Sequence, residues 1–202
     1  MSISLAKGQK ISLEKVAQDA GIQGGLSRIL VGLGWDISRF DSGSDFDLDA
    51  SVFLCDANGK VVKESNFIFY KNTTAPGVEH MGDNRTGAGD GDDEVIKIDL
   101  NSVESDVAKI AVTVTIYKSK DRHQNFGMVE NSYVRVVDEA TGTELLRYDL
   151  GEDYSIETAI VVAEIYRNNG EWKFSAVGSG FSDEHFSEGL AALCNHYGLS
   201  VG

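Results

Sequence analysis

The stretch FDLDASVFL, residues 46–54, alternates apolar and polar side chains with the two-residue period of a β-strand. One face of this strand would be apolar and would pack into a core. The other face would carry Asp47 and Asp49, whose Cα atoms would lie roughly 6.5–7 Å apart along the strand. Two carboxylates at that spacing can converge on one hard cation, which takes oxygen ligands. This stretch therefore predicts a β-fold and a cation site on its surface.

Strand patterns of this kind recur along most of the chain, with turn residues between them. They occupy residues 2–5, 9–13, 27–35, 66–70, 94–100, 107–118, 133–137, 144–148, 158–167 and 171–177. Residues 182–197 differ, because their apolar side chains recur at the spacing of an amphipathic helix. The polar, glycine-rich residues 72–91 are expected to form one long loop. About ten short strands and a C-terminal amphipathic helix predict an all-β fold, a two-sheet β-sandwich that spans residues 1–202 as a single domain.

Charge and hydropathy exclude several classes of function. The chain has 18 Lys+Arg against 32 Asp+Glu, a formal net charge of −14, so its surface repels nucleic acid phosphates and anionic lipids. The longest apolar run covers residues 159–163, whereas a helix that spans a bilayer needs about 20 apolar residues. Neither nucleic acid binding nor direct membrane insertion is expected. Because no export signal is evident, Cys55 and Cys194 are expected to be reduced and the protein to be cytoplasmic.

The acidic charge is concentrated in two segments. Residues 36–56 contain six acids and one base, and residues 83–94 contain five acids and one base, so together they hold −9 of the net charge of −14. Like charges at this density raise the free energy of the folded state. The segments are therefore either solvated loops that keep the protein soluble or sites for a cation, and the glycines of the second segment favour a cation site.

The second segment has the sequence GDNRTGAGDGDDE, residues 82–94. Its glycines allow the backbone to wrap carbonyl groups around an ion, and its Asp, Asn and Glu side chains supply oxygen ligands. Such ligands select calcium or, less tightly, magnesium, and disfavour zinc. The segment is not an EF-hand loop, because Arg85 and Ala88 stand where that motif has an acidic or amide side chain and a glycine.

Three motifs resemble the signatures of the TerD family. They are GWD at residues 34–36, FDLDAS at residues 46–51 and GDNxTGxGxGDDE at residues 82–94. The opening SISLAKGQKISLEK, residues 2–15, is also similar, so the resemblance covers essentially the whole chain. This family comprises bacterial tellurium-resistance and general stress proteins. The resemblance implies a calcium-binding β-sandwich that acts in a stress response, including tellurite resistance, without an established catalytic activity.

The resemblance also implies ligands for two calcium ions. Carried over by position, the implied metal-binding residues are Asp36, Asp47, Asp49, Asp83, Asn84, Thr86, Gly89, Asp92, Asp93 and Glu94. Besides calcium, other proteins of a stress operon are the partners that the resemblance implies.

An enzymatic function is not expected. The chain lacks GxSxG and HExxH motifs, residues 82–91 lack the GK[ST] ending of a phosphate-binding loop, and the four histidines show no metal-ligand spacing. The alternative to a stress-response scaffold is a calcium-dependent binding module for a sugar, a cyclic nucleotide or a protein partner. Binding screens with and without calcium distinguish these two functions.

Overall fold

Two β-sheets dominate the structure, a computed structural model that describes residues 2–23, 25–36, 45–87, 91–150, 154, 156–181 and 189–199. In these residues the strands are β1 (Ile3–Ser4), β2 (Lys10–Ser12), β3 (Arg28–Gly34), β4 (Leu48–Cys55), β5 (Phe67–Ile68), β6 (Thr74–Ala75), β7 (Val78–His80), β8 (Glu94–Asp99), β9 (Lys109–Ile116), β10 (Tyr133–Asp138), β11 (Glu144–Asp149), β12 (Ala159–Asn168) and β13 (Glu171–Phe181). The helices are α1 (Leu13–Asp19), α2 (Ser119–Arg122) and α3 (Gly189–His196), and two 3₁₀ turns cover Glu64–Asn66 and Phe126–Met128.

The two sheets pack face to face. One sheet has seven strands in the order β1-β11-β10-β3-β8-β7-β6, and the other has six strands in the order β2-β13-β12-β9-β4-β5. A single apolar core contains Leu33 and Ile96 of the seven-stranded sheet together with Val52 and Val112 of the six-stranded sheet. The predicted all-β, two-sheet sandwich is confirmed. The strands beyond the expected ten arise because several strands are only two or three residues long.

The faces of β4 follow the alternation that the sequence predicts. Val52 points into the core between the sheets, whereas Phe53 belongs to a second apolar cluster that also contains Leu193 of α3. Helix α3 therefore lies on the outer face of the six-stranded sheet, mainly against β9, β12 and β13, and shares an apolar cluster with Phe53 of β4. Asp47 and Asp49 alternate with the core residues in the same way as Phe53 and lie on this outer face near the start of the strand.

Residues 72–91 do not form one long loop, so that prediction is wrong. They contain the short hairpin of β6 and β7, which turns at Gly77 with a φ of +77°, and β7 pairs with β8 from Val78 to His80. Strands of two and three residues are too short to show a period in the sequence. This hairpin extends the seven-stranded sheet past β8 and brings His80 against β4.

The helices agree only in part with the sequence-based expectation. Helix α1 was not predicted; Ser12 caps its N-terminus by accepting a hydrogen bond from the Lys15 backbone N–H at 3.3 Å. The predicted C-terminal helix is confirmed over Gly189–His196, and residues 182–188 lie outside the described residues. None of the helices in the described ranges has the length and apolar composition needed to cross a bilayer.

Glycine at position 32 of β3 lets the segment before β8 lie directly on the outer face of the seven-stranded sheet. A Cβ atom at Gly32 would overlap the carboxylate of Asp92. That carboxylate accepts hydrogen bonds from Arg135 Nε at 2.7 Å and Nη2 at 3.0 Å, and from the Tyr133 hydroxyl at 3.1 Å. The acidic segment is thus fixed to β3 and β10 through one partly buried ion pair.

We expect Gly32→Ala to lower the free energy of unfolding by about 1–3 kcal/mol, because the new methyl group displaces Asp92 from Arg135. Urea unfolding of the purified variant measures this loss. In an Asp92→Ala background the same substitution should cost much less, since the space is then open. An equal cost in both backgrounds would show that Gly32 is required for another reason.

Candidate metal centre

Three carboxylates converge at the start of β4. Asp47 lies directly before the strand, Asp49 lies within it, and Asp83 lies between β7 and β8. One carboxylate oxygen of each residue lies within 4.8 Å of those of the other two, which suits three ligands of one ion. Asp47 and Asp49 are buried, and the Asp83 side chain is 25% exposed. In the part of the chain that the structure describes, this acidic triad is the one group of His, Cys, Asp and Glu side chains with such geometry.

A fourth carboxylate, that of Glu94 at the start of β8, lies buried beside the triad. Strand β9 pairs with one edge of β4, but β5 pairs with the other edge only at Val52 and Phe53. At Ala50 this second edge of β4 therefore has no strand partner. Glu94 Oε2 accepts a hydrogen bond from the Ala50 N–H at 2.7 Å, and His80 Nε2 lies 3.2 Å from the Ala50 carbonyl oxygen. The seven-stranded sheet thereby satisfies the open edge of the six-stranded sheet.

One oxygen of Glu94 has no partner. The Glu94 side chain is fully buried, and its Oε1 atom makes no hydrogen bond among the described residues. His80 Nε2 lies 3.6 Å from the other oxygen, Oε2. A buried carboxylate oxygen without a donor costs free energy unless a cation or proton meets it. Glu94 is not one of the residues whose oxygens all lie within 4.8 Å of one another, but its negative charge acts on Asp49, so this oxygen is a candidate further ligand next to the triad.

The raised pKa values of these carboxyls show that ionising them costs free energy when no cation is bound. Burial raises the pKa of Asp49 to about 8, and the negative charges of Glu94, Asp47 and Asp83 act in the same direction. Burial also raises the pKa of Asp47, against the opposing effect of Arg122. For Glu94, burial raises the pKa although hydrogen bonds from His80 and Ala50 oppose the shift. A bound cation would favour the ionised form of all these carboxyls.

Two arginines and two tyrosines complete a cleft of about 400 Å³ around the triad. Its lining residues are Asp45, Asp47, Asp49, Tyr70, Asp83, Arg85, Tyr117 and Arg122. Arg85 Nε lies 3.2 Å from Asp83 Oδ2, and Arg122 Nη1 lies 3.7 Å from Asp47 Oδ2. The triad is therefore partly neutralised by the protein's own cations.

Trp35 positions the segment that supplies Asp83. Its backbone N–H donates to Asp93 Oδ2 at 3.0 Å, and its indole Nε1–H donates to the Phe46 carbonyl oxygen at 3.2 Å. Gly87, with a φ of +66°, lies so close to the indole that a Cβ atom there would be 2.5 Å from Nε1. Trp35 thus holds the ends of both acidic segments next to each other.

The remaining predicted ligands do not meet at the triad. Asp93 accepts the Trp35 N–H with one oxygen and the Asn84 amide at 2.9 Å with the other. Asn84 Oδ1 accepts the Thr86 backbone N–H at 3.2 Å, and Asp36 Oδ2 accepts the Asn131 amide at 2.6 Å. Asp93, Asn84 and Thr86 therefore form a hydrogen-bonded network, whereas Asp36 pairs separately with Asn131.

Asp92, another predicted ligand, pairs with Arg135. Both of its oxygens accept hydrogen bonds from Arg135, whose pKa is raised by this contact. The structure therefore places Asp92 away from the triad, as an anchor of the acidic segment. Gly89, another predicted ligand, lies outside the described residues.

Sequence reasoning missed three residues that shape this centre. His80, one of four histidines without metal-ligand spacing in the sequence, is buried and closes the β4 edge. Arg85 stands out in the sequence only as a departure from the EF-hand motif, and no sequence pattern predicts that Arg122 lies at this centre. Its position two residues after Asp83 is the one sequence signal for the role of Arg85, because oppositely charged residues so near each other in sequence often form ion pairs.

Comparisons with known proteins agree with this architecture. A family model described as the TerD domain matches residues 1–197. General stress protein 16U of Bacillus subtilis is 52% identical over 204 residues, and Tellurium resistance protein TerD of Serratia marcescens is 50% identical over 203 residues; both alignments cover 100% of each chain. The crystal structure of a TerD homologue from Streptomyces coelicolor superposes with a TM-score of 0.70 at 27% identity, covering 87% of this chain and 99% of that one. The chain therefore belongs to the TerD family, which includes tellurium resistance and general stress proteins.

Proposed function

We propose that this protein binds calcium through Asp47, Asp49, Asp83 and Glu94 and acts in a cytoplasmic stress response of the tellurite-resistance type. The observation that supports it most is the convergence of three carboxylates beside a fourth, fully buried one with an unpartnered oxygen. The names of the relatives, which are stress and tellurium-resistance proteins, support the physiological part of the proposal.

The donor set favours calcium over other ions. All four ligands offer carboxylate oxygens, and the nearby His80 ring is engaged with the Ala50 carbonyl, so soft-metal ligands are not supplied by these residues. Calcium accepts six to eight oxygens in adaptable geometry, whereas magnesium requires a near-ideal octahedron. A group assembled from a strand, its preceding residue and a separate segment suits the more adaptable ion.

The cleft supports a role in binding rather than catalysis. Its described lining consists of aspartates, arginines and tyrosines, without serine, cysteine or histidine to act as a nucleophile and base. We therefore propose a binding or scaffold protein, with other stress-operon proteins as its partners. The second calcium ion implied by the family resemblance stays a prediction, with Asp36, Asn84, Thr86 and Asp93 as the residues nearest to supplying it.

Substitutions that neutralise one carboxylate at a time should distinguish the calcium ligands from the surrounding acidic residues. We expect Asp47→Asn, Asp49→Asn, Asp83→Asn and Glu94→Gln each to weaken calcium binding by about tenfold or more, because each removes one charged ligand. Calorimetric titration of the metal-free variants measures the loss. Glutamine at position 94 can still accept the Ala50 N–H, so the fold should persist.

The matched controls are Asp106→Asn, at an exposed site, and Asp92→Asn, at the carboxylate paired with Arg135. Both should retain the parent's calcium affinity, although Asp92→Asn should lower stability. The assignment fails if Asp92→Asn abolishes binding while the four ligand variants bind calcium like the parent.

The metal-free protein should lose stability as pH rises. Since the folded state raises the pKa of Asp49 from 3.8 to about 8, the folded protein binds a proton that the unfolded chain releases near pH 4. Its free energy of unfolding should therefore fall as the pH rises from about 4 to about 8 in the presence of a chelator. The raised pKa values of Asp47 and Glu94 add to this slope.

Asp49→Asn, which resembles the protonated acid, should show a clearly smaller decrease over the same pH range. Urea unfolding at several pH values provides the comparison, and saturating calcium should flatten the parent's curve, because the cation replaces the proton. An identical slope in parent and variant would contradict the raised pKa of Asp49.

A further inference from the structure

Both ring nitrogens of His80, the last residue of β7, lie against main-chain groups. Nδ1 accepts a hydrogen bond from the Gly82 N–H at 3.3 Å. Nε2 lies 3.2 Å from the Ala50 carbonyl oxygen and 3.6 Å from Glu94 Oε2. The side chain is 1% exposed, and the His80 backbone N–H donates to the Thr73 carbonyl oxygen at 2.8 Å. The ring is therefore held from its own backbone and from both nitrogens.

These contacts assign the position of the ring hydrogen. A main-chain N–H only donates, so Nδ1 must offer its lone pair to Gly82. A carbonyl oxygen only accepts, so Nε2 must carry the hydrogen that it donates to Ala50. His80 is therefore a neutral ring with its hydrogen on Nε2. Because this hydrogen is directed at the Ala50 carbonyl, Oε1 of Glu94 receives no donor from His80.

The two main-chain groups that His80 contacts lie next to two members of the triad. Gly82 directly precedes Asp83, and Ala50 directly follows Asp49. Asp83 belongs to the segment between β7 and β8, whereas Asp49 belongs to β4. One ring thereby links the segment that carries Asp83 to the strand that carries Asp49.

Repulsion among the carboxylates acts against this arrangement. Burial has the largest effect in raising the pKa of Asp49, and the negative charges of Glu94 and Asp83 add to it. Asp83 is on a segment that β4 does not hold by strand pairing, so the repulsion would move this segment outward unless other contacts oppose it. The hydrogen bonds of His80 oppose it without adding a charge.

We infer that His80 is a positioning residue of the calcium centre, which holds Asp83 in the triad with Asp47 and Asp49 before the cation binds. This inference rests on the proposed calcium site and names a residue that contributes to its affinity without contacting the ion. Groups that orient metal ligands in this way contribute a factor of about 10–100 to metal affinity. A neutral ring suits this role, because it accepts from an N–H on one side and donates to a carbonyl on the other.

The opposing interpretation is that His80 only fills the space at the open edge of β4. In that case its replacement lowers the free energy of unfolding but leaves the calcium affinity of the folded protein unchanged. The two interpretations agree on stability and differ on calcium affinity.

Two conservative variants test the inference by removing one contact each. In His80→Gln the side-chain amide reaches the Ala50 carbonyl, but the acceptor for the Gly82 N–H is lost. In His80→Asn the side-chain oxygen accepts the Gly82 N–H in the manner of an Asx turn, but the side chain is too short to reach Ala50. We expect calorimetric titration of the metal-free variants to show calcium binding weakened about fivefold or more in each.

Ile110→Val is the matched control for a loss of stability alone. Ile110 lies in the core and pairs with Leu54 towards the other end of β4 from Asp49. This variant should be less stable than the parent and should keep its calcium affinity.

An Asp83→Asn background tests whether His80 acts through Asp83. There His80→Gln should weaken calcium binding by less than about twofold, since the ligand that His80 positions has already lost its charge. Nitrogen-15 NMR of the parent at neutral pH is an independent readout, which should show the ring hydrogen on Nε2 both before and after calcium is added.

The inference is overturned if both His80 variants bind calcium like the parent, or if His80→Gln costs as much affinity in the Asp83→Asn background as in the parent. A ring hydrogen on Nδ1 also overturns it. A parent that binds no calcium is a different result, which overturns the proposed calcium site and the role of His80 with it.

Discussion

The hydrogen bond from the Ala50 N–H to Glu94 is the contact on which the arrangement of the metal centre depends. It joins the two sheets at the edge of β4 opposite β9, where β5 does not reach Ala50, and His80 completes the same junction at the Ala50 carbonyl. A hydrogen bond to a buried charged group contributes about 1.5–3 kcal/mol, and the loss of either partner leaves a buried polar group unsatisfied. Because Glu94 is fixed in this way, its second oxygen is buried without a hydrogen-bond partner among the described residues, and its negative charge raises the pKa of Asp49.

This junction concentrates negative charge in a place where water cannot disperse it. Burial and neighbouring carboxylates together raise the pKa of Asp49, and Arg122 offsets only part of this shift. Natural proteins retain such costly groups mainly where they serve a function. The surrounding structure holds them together, since Trp35 and the Asp92–Arg135 pair fix the acidic segment on the seven-stranded sheet.

The sequence predicts the parts of this centre that follow from the alternation of apolar and polar residues along a strand. Alternation along β4 places Asp47 and Asp49 on one face, and the family resemblance includes Asp83 and Glu94 among the ligands. The pairing of Asp92 with Arg135 could not be predicted. Arg135 follows 43 residues later on β10, which lies near Asp92 only because of the order of the strands in the sheet. The position of His80 against β4 could not be predicted either, because the strands of its hairpin are too short to show a sequence pattern.

The location of the ion is the most direct test of the account. A crystal structure of the calcium-loaded protein, with the ion identified by its anomalous signal, should show calcium bound by Asp47, Asp49, Asp83 and Glu94 at oxygen distances of about 2.3–2.6 Å. Calcium held instead by Asp92 with Arg135 displaced, or a structure at saturating calcium with no ion among these four carboxylates, would contradict it.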